Sequence, residues 1–77
     1  MLEDQILALE LVETAKCINY ERYFADMIVV APPFITHNGE RHLLDSVLYC
    51  ARIACIAEKC EEEYSKIVDF IERSALE

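Results

Sequence analysis

Met27-Ile28-Val29-Val30-Ala31-Pro32-Pro33-Phe34-Ile35-Thr36-His37-Asn38-Gly39 is the stretch on which the fold turns. Met27 to Val30 is apolar throughout and rich in β-branched side chains. A short buried strand reads this way, and so does a buried helical segment. Upstream, Cys17, Tyr20, Phe24, Met27 and Ile28 form a helical stripe that runs into it. A strand needs a partner, and no partner strand stands out in the flanking sequence. The helical reading is therefore preferred, with a short extended segment at residues 27–31 as its competitor. Pro32-Pro33 ends whatever precedes it, because the residue before a proline is pushed out of the α region. The connection continues to Asn38-Gly39, where the one glycine of the chain follows an asparagine, as in a turn. Thr36 or Asn38 can cap the helix that follows.

On either side the pattern is helical. Leu7, Leu11 and Ile18 share one face of the first segment, and Leu2, Ile6 and Leu9 another, with Glu3 and Asp4 complementing the positive end of the helix dipole. Beyond Gly39 no glycine or proline interrupts the chain. Leu43, Val47, Ala51 and Ala54 form a stripe, flanked by Leu44, Leu48 and Cys55. Ile53, Cys60 and Ile67 recur every seven residues, with Ile56 and Phe70 at the companion spacing. Glu58 through Glu63 is polar except for Cys60 and marks where this helix leaves the core, bends or is exposed. These readings predict an all-α fold: one helical domain, residues 1–77, made of two long arms, about Leu2–Val30 and Glu40–Ser74. The Pro-Pro/Asn-Gly connection joins them into a helical hairpin. Two helices cover only one face of each other, so the surplus at Leu2, Ile6, Leu9, Ile56 and Phe70 predicts a homodimer that completes a helical bundle.

Composition limits the function. The 77 residues carry 15 acids against 7 bases, a net charge of −8, yet 55% are hydrophobic and the mean hydropathy is +0.16. Such a chain is no disordered acidic tail. Folding alone, a chain of this size buries only roughly 60% of its unfolded surface, so a partner is expected. The negative charge disfavours direct contact with nucleic acid or an anionic membrane and favours a protein with a basic surface. No apolar run approaches the ~20 residues of a membrane span. Leu2-Glu3-Asp4 is acidic where a secretory signal would be basic, so a cytoplasmic location is expected.

The residues that carry chemistry do not assemble into a signature. Cys50, Cys55 and Cys60 are five apart, so on one helix each is turned by roughly 140° from the last and the three cannot converge on an ion. All four cysteines, Cys17 included, read as small hydrophobes. His37 and His42 flank Glu40 in the wrong order for a zinc-protease helix and read as loop and cap. Ser46, Ser65 and Ser74 lack a glycine-bearing elbow, and one glycine cannot make a phosphate cradle. No catalytic, cofactor-binding or metal-ligating residue is expected. Residues 26–47 are similar to the C-terminal segment of class III pyridoxal-phosphate aminotransferases, where a strand ends in paired prolines before a terminal helix. The resemblance brings no catalytic residue and no cofactor lysine, and implies only an extended segment at Met27–Val30.

What remains is binding. Tyr20, Arg22 and Tyr23 have the composition of an interface hot spot. Glu58, Glu61, Glu62 and Glu63 offer an acidic surface. The leading expectation is a small acidic adaptor or regulatory protein that works through protein–protein contact. An acidic decoy that occupies the nucleic-acid site of a target enzyme is the first alternative. A small-molecule pocket at a dimer interface is the second.

Overall fold

The computed structural model describes residues Leu2–Leu76 and corrects the all-α hairpin. The chain forms α1 (Leu2–Ala15), α2 (Tyr20–Met27), β1 (Ile28–Ala31), β2 (Phe34–His37), β3 (Glu40–Leu43), α3 (Leu44–Glu58) and α4 (Glu61–Ala75). It is an α+β fold, with four helices and one three-stranded antiparallel sheet of order β1-β2-β3 among the described residues. Met27–Val30 thus resolves as helix end followed by strand, the extended alternative at 27–31.

Two tight turns make the sheet. Pro32 and Pro33, joined by a cis peptide, link Ala31 to its partner Phe34. Asn38 and Gly39 link His37 to Glu40 with φ of 52° and 79°. Positive φ at both central residues is the type I′ turn, whose twist matches paired strands. Asn-Gly was therefore a hairpin signal, and Thr36 and Asn38 do not cap a helix: they lie in β2 and in the turn. The partner strands escape an apolar search because they are four residues long and mostly polar. Only alternate positions, Ile28, Ile35 and His42, are buried. The opposite sheet face is bare, with Val29 and Leu43 exposed and the Arg41 guanidinium 4.6 Å from the Phe34 ring centroid.

The helices pack on the inner face of the sheet. Leu7, Ala8, Leu11, Val12 and Ala15 of α1 form the centre of the core. Val47, Ala51 and Cys55 of α3 and Ile67 and Ile71 of α4 close around them. Phe24 brings α2 in, with its ring centroid 5.2 Å from that of Phe70. Ile18, expected beside Leu7 and Leu11, follows the end of α1 and is exposed. Phe70 packs against the core instead of standing surplus to it, whereas Leu2, Ile6, Leu9 and Ile56 stay exposed.

Besides the strands Ile28–Ala31 and Glu40–Leu43, each predicted arm has one further break. The first breaks at residues 16–19, between α1 and α2. The second breaks at Lys59, which adopts the left-handed conformation (φ 58°) that usually calls for glycine. There the Cys60 N–H donates to the Cys55 carbonyl (2.8 Å) and the Lys59 N–H to that of Ile56 (3.4 Å), the paired bonds of a Schellman ending. No glycine or proline announces this break; only the polar run at Glu58–Glu63 hints at it. Leu43 at the N-cap of α3 supplies no side-chain cap, and the Leu44 N–H is taken up by the Pro33 carbonyl at 2.9 Å.

Because α1 and α3 are joined through a helix and a sheet rather than one turn, they run in the same direction. Asp4, near the start of α1, bonds His42 just ahead of α3 (2.8 Å). Lys16, beyond the end of α1, lies 3.7 Å from Glu58 at the end of α3. A two-armed hairpin would have set them antiparallel.

The two left-handed positions give substitutions of opposite sign. Lys59→Gly relieves a side chain in that conformation and should stabilise the fold by about 1 kcal/mol. Gly39→Ala should cost about 1 kcal/mol, although open space surrounds the new methyl group, because φ is +79°. Urea unfolding of both variants checks this, and shifts of the same sign would contradict the assigned turns.

Candidate functional site

α1 is apolar on two opposite sides. Leu7, Ala8, Leu11 and Ala15 point inward, while Leu2, Ile6 and Leu9 point out at i, i+4, i+7 spacing. α3 repeats the arrangement: Val47, Ala51 and Cys55 face the core, and Tyr49, Ile53 and Ile56 face out at the same spacing. The six outward side chains are between 47% and 67% exposed. α1 and α3 pack side by side. Leu9 of the first triple and Tyr49 and Ile53 of the second meet at a cleft of about 260 Å³, completed by Gln5, Cys50 and Ala54, none of them charged.

The residues expected to bind a partner do not come together as one site. Tyr20 turns inward, its ring edge-on to Phe24 (5.8 Å) and under the Lys66 ammonium (4.9 Å). Arg22 lies two residues on, about 200° round the helix and exposed, and Tyr23 is half-exposed between them. Glu58 ends α3 beside Lys16. Glu61, Glu62 and Glu63 make up the first turn of α4, where they complement its dipole, and Glu63 is half-buried on the core side. Only Glu61 and Glu62 belong to an exposed acidic stripe, which continues through Asp69 and Glu72. Tyr49 and Ile53 went unnoticed as partners of Leu9. Ile53 had been read into a seven-residue repeat with Cys60 and Ile67, which the break at Lys59 cuts.

Both histidines face α1 and each pairs with a carboxylate there. The His42 Nδ1–H donates to Asp4 Oδ1 at 2.8 Å; these are the two buried polar residues among those described. His37 places Nδ1 3.0 Å from the Met27 carbonyl and Nε2 3.0 Å from Glu10 Oε2. The imidazolium form of that ring donates to both, the neutral form to one. The two pairs join α1 to the sheet. They are neither the loop nor the cap expected of His37 and His42. A signal was available: Asp4 lies in phase with Leu7, Ala8 and Leu11 and was bound to be drawn inward with them.

All four cysteines are free. Cys55 and Cys60 are buried, Cys50 is half-buried and Cys17 is exposed, which departs from four packed thiols. Burial pushes the Cys55 thiol above its usual range, with Cys60, Glu63 and Glu58 adding to the effect and Lys16 opposing it. Among the described residues no three His, Cys, Asp or Glu side chains cluster as metal ligands, and no helix is long and apolar enough to cross a membrane. Comparisons of the chain with protein-family models, curated proteins and solved structures return no match.

Two measurements follow from this geometry. Asp4→Ala and His42→Leu each leave a buried polar partner unpaired and should cost about 1–3 kcal/mol. The double variant should cost less than the sum, since it removes both groups, and strictly additive losses would deny the pair its fastening role. In native buffer an alkylating reagent should modify Cys17 first and Cys55 last, because the thiolate is the nucleophile and burial suppresses it at Cys55. Mass-mapped labelling that finds Cys55 as fast as Cys17 would contradict that burial.

Proposed function

We propose that this chain is a small adaptor or regulatory protein that works by contact with other protein chains. The apolar α1–α3 face carries the reading. Six large side chains of α1 and α3 stand outside the core, and Leu9, Tyr49 and Ile53 among them line one cleft. An acidic chain keeping so much uncharged apolar surface in water forgoes roughly 1 kcal/mol of burial per half-exposed side chain. A covering partner recovers it.

The acidic stripe along α4 favours the second reading, an inhibitor that occupies a basic or nucleic-acid-binding surface of a target. Glu61, Glu62, Asp69 and Glu72 share the exposed side of that helix, with Arg73 at its edge bound to Glu21 at 3.0 Å. A small-molecule pocket has less support. The α1–α3 cleft, at about 260 Å³ and open along its length, falls below the ~300–1,000 Å³ of ligand pockets.

The two binding readings assign the partner to different surfaces. A tagged bait retains chains from an extract of the cells that make the protein. Under the leading reading, Leu9→Asp with Ile53→Asp abolishes retention, while Glu61→Lys with Glu62→Lys and Asp69→Lys spares it. Under the inhibitor reading, the charge reversals and added salt abolish it. Retention indifferent to both sets of substitutions contradicts both readings.

A further inference from the structure

We infer that the α1–α3 face is the contact between two copies of this chain, which joins two parallel helix pairs into a four-helix bundle about a two-fold axis. The inference rests on the binding reading above and names the occupant of its surface.

Three observations lead to a second copy. The first is the distribution of apolar side chains on α1, which is buried on one face and apolar on the opposite one. The monomer covers the first face and leaves Leu2, Ile6 and Leu9 of the second in water. The second is area. The exposed parts of Leu2, Ile6, Leu9, Tyr49, Ile53 and Ile56 amount to roughly 600 Å², against the ~800 Å² that each side gives to a standard stable interface and the ~300–600 Å² of the largest patch on an ordinary monomer. The polar rim supplies the remainder. The third is charge. Two copies of a chain of net charge −8 repel each other least across uncharged surface, and the cleft is lined by no charged residue. The acids that would draw a basic partner stand instead along α4. A two-fold contact is also self-complementary: each copy lays an outward triple, spaced at i, i+4, i+7, against the cleft of the other.

Sedimentation equilibrium near neutral pH tests this, paired with thermal melts at several protein concentrations. The wild type should be dimeric on the order of tens of micromolar, with a midpoint that rises with concentration. Ile53→Asp should weaken self-association by roughly thirtyfold or more. Gln5→Glu, isosteric and exposed, should weaken it in the same direction and keeps the test decisive if Ile53→Asp fails to fold. Val29→Asp, on the bare face of the sheet, should leave it unchanged. A monomeric wild type at that concentration, or a dimer indifferent to both Ile53→Asp and Gln5→Glu, would overturn the inference. A monomer that still loses its retained partners on Leu9→Asp would overturn self-association while leaving the binding reading in place.

Discussion

The hydrogen bond between Asp4 and His42 holds the arrangement together. It buries two polar side chains that cannot be left unpaired, so it fixes the start of α1 against β3 wherever the two elements meet. Because α3 begins two residues after His42, that anchor also sets where α3 starts and which way it runs. The Pro33 carbonyl holding the Leu44 N–H fixes the same junction from the other side. With both bonds in place α3 lies parallel to α1, and Leu9 meets Tyr49 and Ile53 at one cleft.

The sheet is small, yet it decides the topology. Three strands of four residues carry the chain back to the start of α1, so that α3 repeats the direction of α1 instead of reversing it. Leu2, Ile6 and Leu9 stay exposed on the side of α1 that faces away from the core. An apolar helix face is left uncovered by the order of the elements, not by a shortage of helix.

Much of this was legible in the residues. Leu7 and Leu11 on the inward side of α1 and the exposed Leu2, Ile6, Leu9 and Ile56 followed from spacing, though Ile18 and Phe70 did not, and the end of the element before Pro32 followed from the prolines. The sheet did not, for a physical reason. β2 and β3 bury one residue each, Ile35 and His42, so no apolar run marks them, and their pairing is carried by backbone bonds and by Asn38-Gly39. Asn-Gly was the one local signal; it reads correctly as a turn, but as one leading into a helix capped by Thr36 or Asn38 rather than as the hairpin between two strands. The break at Lys59 left still less trace, because a lysine adopts there the conformation that glycine usually takes. Tertiary burial of Cys55 and Cys60 on either side favours the turn over local preference. The candidate surface shared this fate. Its α1 half was visible as surplus, whereas its α3 half depended on knowing that the second helix ends at Glu58.

The central claim is the parallel placement of α1 and α3, and side-chain contacts in solution test it most directly. Nuclear Overhauser spectroscopy on methyl-labelled protein, with an isotope filter to isolate contacts within one chain, should connect Leu9 to Ile53 across the cleft that both line. The same sample should place the His42 ring beside the start of α1. Contacts joining Leu2 or Ile6 to the last turn of α3, without the Leu9–Ile53 contact, would return the helices to an antiparallel pair and contradict the account.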